Sequence, residues 1–160
     1  MEKAERPGSQ NHMSRESSLG YQVNYLARLL EQALRVRIDR HGVVPGQFAQ
    51  LLALYEEEPL TQRELCERVQ IEQSTMAYTL QRMQRDGLID RVADPRDGRR
   101  ARITLTQRAR QIHEVLMSAA RDVNEAATLG LGEDEVATLM SAIERIIKNL
   151  EVGDGRRRRR

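Results

Sequence analysis

Apolar residues return every third or fourth position from Leu19 onward: Leu19, Val23, Leu26, Leu30, Ala33 and Leu34. That spacing predicts a helix over Leu19–Arg40 with one buried stripe. Tyr25, Leu29, Val36 and Ile38 widen the stripe beyond what one neighbour covers, so this helix calls for a second partner such as another subunit. His41-Gly42 ends it, with the glycine as a left-handed cap. Pro45 opens a second helix to about Glu57, with Phe48, Leu51, Leu52 and Tyr55 inward, and Pro59 closes it. Thr61-Gln62-Arg63-Glu64 is a capping box, Thr then Glu three later, opening a short third helix to about Val69. After the turn Gln70-Ile71-Glu72, a fourth helix runs from about Gln73 to Asp86 on the buried line Met76, Leu80 and Met83, and Gly87 caps it.

The period then changes. Leu88–Ala93 and Arg100–Leu105 flank a tip, Asp94–Arg99, and Ile103 and Leu105 alternate with Arg102 and Thr104. This is the pattern of a β-hairpin with one covered face. Thr106 caps a long fifth helix carrying Ile112, Val115, Leu116, Ala119, Val123 and Ala127 on its apolar side. Gly130–Gly132 break the chain. A final helix, about Glu133–Leu150, sets Val136, Leu139, Met140, Ile143, Ile147 and Leu150 on one seam, its first turn acidic as the helix dipole prefers. The predicted fold is mainly α with a small β-hairpin wing. A winged helix-turn-helix spans residues 45–105, and a helical region comprises 19–44 and 106–150. Residues 1–17 and the basic tail 151–160 show no periodicity and read as disordered. Gly8–Met13 reads equally as a cloning remnant before a start at Met13 or as native sequence.

Charge sharpens this picture. Of 26 Lys and Arg residues, five form the terminal run Arg156–Arg160, so the rest of the chain carries 21 against 24 acids. From Arg96 to Arg110 six arginines face Asp97 alone, whereas Gln111–Gly155 holds three bases against nine acids. A polarised molecule of this kind expects an anionic partner at its basic end, most often nucleic acid. There is no apolar run long enough to span a membrane and no export signal. One cysteine, Cys66, excludes an internal disulfide, and three scattered histidines give no metal-ligand spacing; a cytoplasmic protein is expected. No Ser-His-Asp grouping or phosphate loop is present, so no enzyme activity and no required cofactor are predicted.

A helix fits the major groove of duplex DNA, which is about 12 Å wide. On the fourth helix, Gln73, Ser74, Thr75, Tyr78, Thr79 and Arg82 point away from the buried line and are the candidate DNA-reading residues. A plain solvated helix face is the competing explanation. The hairpin weighs against it. Arg96, Arg99, Arg100 and Arg102 crowd one tight turn, where their repulsion is a cost unless a polyanion relieves it. A narrow minor groove concentrates negative potential and draws arginine in. Arg96, Arg99 and Arg100 are therefore candidate DNA contacts, and Asp94 is expected to pair with a nearby arginine and hold the hairpin's shape.

The run Asp94-Pro95-Arg96-Asp97-Gly98-Arg99-Arg100, followed by Leu105-Thr106, resembles the wing signature of the MarR-type regulators. Leu80-Gln81-Arg82-Met83-Gln84-Arg85-Asp86-Gly87-Leu88-Ile89 resembles the end of that family's recognition helix. The likeness extends over about residues 19–150, with Ala109 standing where members often carry glycine. It implies a homodimer whose first, fifth and sixth helices interlock, a pseudo-palindromic operator on double-stranded DNA, and usually repression. Release would follow binding of a small aromatic or phenolic effector, or oxidation. A ligand would lodge where the dimer helices meet the DNA-binding lobe, near Tyr25, Arg37, Arg40, His41 and Phe48, which offer rings and cations; the plain alternative makes Tyr25 and Phe48 core and His41 a helix-end residue. Cys66 is either a buried structural cysteine or the one thiol switch available. Two rivals remain: a winged helix that binds another protein, and a Cys66-based redox sensor of the same fold.

Overall fold

In the computed structural model the described residues are 14–98 and 100–157, with side chains through Glu151. Arg99, residues 1–13 of the leading segment and residues 158–160 of the basic tail lie outside them. Ser14–Ser17, expected to be disordered, form a turn closed by Ser17 N–H on the Ser14 carbonyl at 3.2 Å.

Helix α1 spans Leu19–Ile38 behind the N-cap Ser18, and a 3-10 turn over Asp39–His41 leads to Gly42 at φ +69°. That left-handed residue has a second constraint: a Cβ there would lie 2.6 Å from Arg108 Nη2. Helix α2 runs Pro45–Glu56, α3 Gln62–Val69 and α4 Gln73–Arg85. Thr61 and Glu64 close the predicted capping box reciprocally: Thr61 N–H donates to Glu64 Oε2 at 2.6 Å and Glu64 N–H to Thr61 Oγ1 at 3.3 Å. Gln70 makes the turn into α4 at φ +58°. Gly87, at φ +69°, ends α4, and Leu88 N–H returns to the Met83 carbonyl at 2.9 Å.

The hairpin is β2 (Ile89–Ala93) with β3 (Ala101–Leu105), paired antiparallel from Ile89 opposite Leu105 to Ala93 opposite Ala101. A third strand, β1 (Leu60–Thr61), was not expected. It pairs with β3 through Leu60 opposite Ile103, which makes β3 the central strand. Leu51, Leu54, Leu60, Leu65, Met76, Leu80, Met83, Leu88, Ile89 and Ile103 close one core between these helices and the sheet.

The predicted fifth helix is broken into α5 (Gln107–Gln111) and α6 (His113–Ala127). The cause comes from α2. Tyr55 donates its hydroxyl to the Ala109 carbonyl at 2.7 Å, and its ring lies 4.2 Å from the His113 ring. A side chain that captures a helical carbonyl interrupts the ladder there. Burial pushes the Tyr55 hydroxyl up to about 12, which keeps it a donor at neutral pH. The last helix, α7, covers Glu133–Arg157, so helix continues past the expected end at Leu150 into the segment read as a disordered tail.

The chain divides into two compact units, one ending at Ala120 and one starting at Arg121. In the first, α1 buries Ile38 but leaves Leu19, Val23, Leu26, Leu29 and Val36 exposed, the last at 76%. The stripe expected to be buried is thus open over most of its length. In the second, α7 exposes Leu139, Met140, Ile143, Ile147 and Leu150, the last at 70%.

Candidate nucleic-acid interface

Helix α4 is held from behind and free in front. Met76, Leu80 and Met83 are fully buried, which turns Gln73, Ser74, Thr75 and Tyr78 outward, Tyr78 at 62% exposure. Thr79 and Arg82 are half-buried rather than fully presented. Arg82 lies 5.8 Å from the centre of the Tyr78 ring, so the cation is steadied on an aromatic face.

The C-terminal end of α4 is anchored by groups the sequence reading missed. Buried Gln47 donates to Asp86 Oδ2 at 2.7 Å. Burial opposes ionisation of that carboxyl, yet the Gln47 and Arg85 hydrogen bonds hold it below the usual aspartate range. Arg108 on α5 donates to the Asp86 carbonyl at 2.5 Å and to the His41 carbonyl at 2.6 Å. One guanidinium therefore satisfies the free carbonyls at two helix ends that the sequence separates widely. At the N-terminal end, the Gln62 carboxamide nitrogen donates to the Gln73 carbonyl at 3.3 Å and to Gln73 Oε1 at 3.1 Å. The one sequence signal was positional: both glutamines open their helices.

The wing is shaped by Asp94, which is 7% exposed although it sits at the base of a hairpin tip. Its Oδ1 accepts from Arg96 N–H at 2.9 Å and its Oδ2 from Arg102 Nε at 2.8 Å. The Arg96 main-chain bond, then the Arg102 guanidinium, hold this carboxyl below its ordinary value. Asp94 N–H to the Arg100 carbonyl at 2.8 Å, and Arg100 N–H to the Asp97 carbonyl at 2.9 Å, close the tip. Arg100 pairs with Asp97 at 3.2 Å on the exposed side. Two of the arginines expected to repel one another are thus matched by wing carboxylates, which removes much of that expected cost. Arg96 is exposed at the tip, and Arg99 lies outside the described residues.

The residues expected near a ligand stand in different surroundings. Phe48, at 8% exposure, is part of the core. Tyr25 is on the open face of α1, stacked 6.5 Å from Tyr21 with Arg28 over its ring at 5.6 Å. Arg37 turns back to the Ala33 carbonyl at 2.9 Å, while Arg40 Nε donates to His41 Nε2 at 3.1 Å. Cys66 is buried; desolvation, then the carboxylates of Glu72 and Glu67, push its thiol up. A reactive thiol requires the opposite environment. Among the described residues no cluster of His, Cys, Asp and Glu suits a metal ion, and no helix is long and apolar enough to cross a membrane.

Comparison with known proteins adds an independent line. Residues 41–100 match the model of the MarR family. The chain is 30% identical over 128 residues to YsmB, an HTH-type transcriptional regulator of Bacillus subtilis (strain 168), with 78% of this chain and 85% of the relative covered. It is 27% identical over 143 residues to the organic hydroperoxide resistance transcriptional regulator of the same organism, covering 88% of this chain and 94% of the relative. Among solved structures, the PcaV transcriptional regulator from Streptomyces coelicolor, crystallised with its natural ligand, is similar with a TM-score of 0.76 and 30% identity. That alignment covers 84% of this chain and 95% of PcaV.

Proposed function

The chain belongs to the MarR family of DNA-binding transcription regulators, and we propose that it is a homodimeric repressor that holds a pseudo-palindromic operator until a small aromatic or phenolic effector binds. The family is one of regulators, not enzymes. One observation carries the reading: the polar face that opens α4 lies uncovered in the same lobe as the exposed Arg96 of the wing. A helix about 10–12 Å across enters the major groove, where Gln73, Ser74, Thr75 and Tyr78 meet base edges or phosphates, with Thr79 and Arg82 behind them. Arg96 then reaches the neighbouring minor groove, and Arg99 and Arg100 add phosphate contacts. Arg100 exchanges Asp97 for phosphate on binding.

The apolar residues exposed on α1, and those exposed on α7, support a dimer of identical chains. On this reading, residues 19–44 and 106–150 form the dimerisation region. Two-fold symmetry then sets the half-sites about one helical turn apart. PcaV has been crystallised with a natural ligand, and Tyr25, Arg37, Arg40 and His41 of this chain offer a ring and cations for an aromatic acid, with Phe48 behind as core. Such a molecule releases DNA only if it binds one spacing of the two lobes better than the other. The place of action is the cytoplasm, where the chromosome is.

The test is a gel shift with the full chain on duplexes selected from a random library, followed by the Arg96→Ala variant. Sequence-specific binding of a two-fold symmetric site is expected, and Arg96→Ala weakens it by about 1–3 kcal/mol. Binding without sequence preference at moderate salt would instead favour a protein-interaction module. A reporter driven from the selected site, higher without the protein than with it, separates repression from activation.

A further inference from the structure

Gln62 and Gln73 are the first residues of α3 and α4, and they are joined through their side chains. A carboxamide turned end for end keeps its shape, so its partners alone decide which end is nitrogen. Here the Gln73 main-chain carbonyl decides, because it can only accept. Facing it at 3.3 Å, Gln62 must present nitrogen. The atom of the Gln73 side chain that meets the same nitrogen at 3.1 Å must then be oxygen. Both hydrogens of the Gln62 nitrogen are used in these two bonds. Gln73, exposed at the front of α4, is left with one oxygen lone pair and both hydrogens of its own nitrogen.

We propose that Gln62 is a positioning residue for base selection: it pins the Gln73 carboxamide in one orientation, so that α4 selects adenine at one base position of each half-site. This rests on the DNA-reading role proposed above. Adenine presents a donor, N6–H, beside an acceptor, N7, on its major-groove edge, and the pinned carboxamide offers the matching pair. Guanine sets two acceptors there, which brings oxygen against oxygen. Thymine offers one acceptor and a methyl group, and cytosine one donor. An unpinned glutamine rotates freely and turns its nitrogen to any acceptor; Gln62 removes that freedom before DNA arrives.

The experiment is selection of bound duplexes from a random library by the full chain and three variants. Gln73→Ala marks the base position that Gln73 reads. Gln62→Met, similar in length but without donors, and Gln62→Glu, which replaces the donors with acceptors, must each cut the adenine preference at that position on the order of tenfold. Other positions keep their preferences, and in the uncharged Gln62→Met variant the salt dependence of binding stays the same, because neither Gln62 hydrogen goes to phosphate. Two results overturn the proposal while leaving the DNA-reading role intact: a base other than adenine at the marked position, or an adenine preference unmoved in both Gln62 variants. Uniform weakening in Gln62→Met with the adenine preference unchanged overturns it too, since that is what a merely structural residue does. Failure of the unchanged chain to select any sequence would instead overturn the DNA-reading role itself.

Discussion

The lobe from α2 to β3 and the long helices α1 and α7 use the same kinds of apolar residue to opposite ends. In the lobe, Leu51, Leu65, Met76, Leu80, Met83 and Leu88 are fully buried. On α1 and α7, Val23, Leu26, Val36, Ile147 and Leu150 stay open to solvent. The lobe has three helices and a sheet to fold around its own core. A long helix has only one face to spend inside its own chain, and its remaining apolar surface is stable when another copy covers it. Self-sufficient burial belongs to the lobe; in the homodimer proposed above, the open faces of α1 and α7 are the surface that two copies share.

That contrast can be tested by substitutions whose effects differ in kind. The largest effect is expected from Ile147→Glu, which sets a carboxylate in each apolar face and costs several kcal/mol per copy if the face is covered. Sedimentation should show a single-chain mass while the lobe keeps its unfolding transition; an unchanged dimer would mean α7 is not the shared surface. Leu80→Ala acts inside the lobe, leaving a cavity that costs about 2–5 kcal/mol in denaturant unfolding and leaves the subunits associated. Tyr55→Phe is smaller. It strips the hydroxyl from the Ala109 carbonyl and is expected to cost about 1 kcal/mol, with the α5–α6 break relaxing toward a continuous helix.

The smallest expected effect is also the most specific. Asp94 has its carboxyl held below the ordinary value by the Arg96 main chain and the Arg102 guanidinium. A depressed carboxylate stabilises the fold fully above its unfolded value of about 3.9, and the benefit fades as pH falls through the lower folded value. The stability gap between the natural chain and Asp94→Asn should therefore be present at neutral pH and close in acid. A gap independent of pH would mean the charge on Asp94 does not hold the wing.

Much of the lobe could be read from local signals. The Thr61–Glu64 capping box, Gly87 after α4, and the alternation of Arg102, Ile103, Thr104 and Leu105 each report a conformation set within a few residues. What escaped was set by distant partners. The two-residue strand β1 exists because β3 supplies its ladder. The break at Ile112 follows from a hydroxyl on α2. Arg108 looked like one more free positive charge, and instead it braces two helix ends. The wing itself was half legible: its arginines stand out in the sequence, but the pairing of Arg102 with Asp94 and of Arg100 with Asp97, which leaves Arg96 exposed at the tip, does not.

Period, caps and turn residues were enough to establish the order of helices, the hairpin and the polar front of α4, because each depends on the conformational preferences of neighbouring residues. Which arginines remain available, where a helix breaks and which way the Gln73 carboxamide points were decided only once the chain had folded. Those outcomes depend on hydrogen-bond partners tens of residues away, or on the opposite wall of a turn, and a linear pattern of polar and apolar positions carries no record of which donor will reach which acceptor.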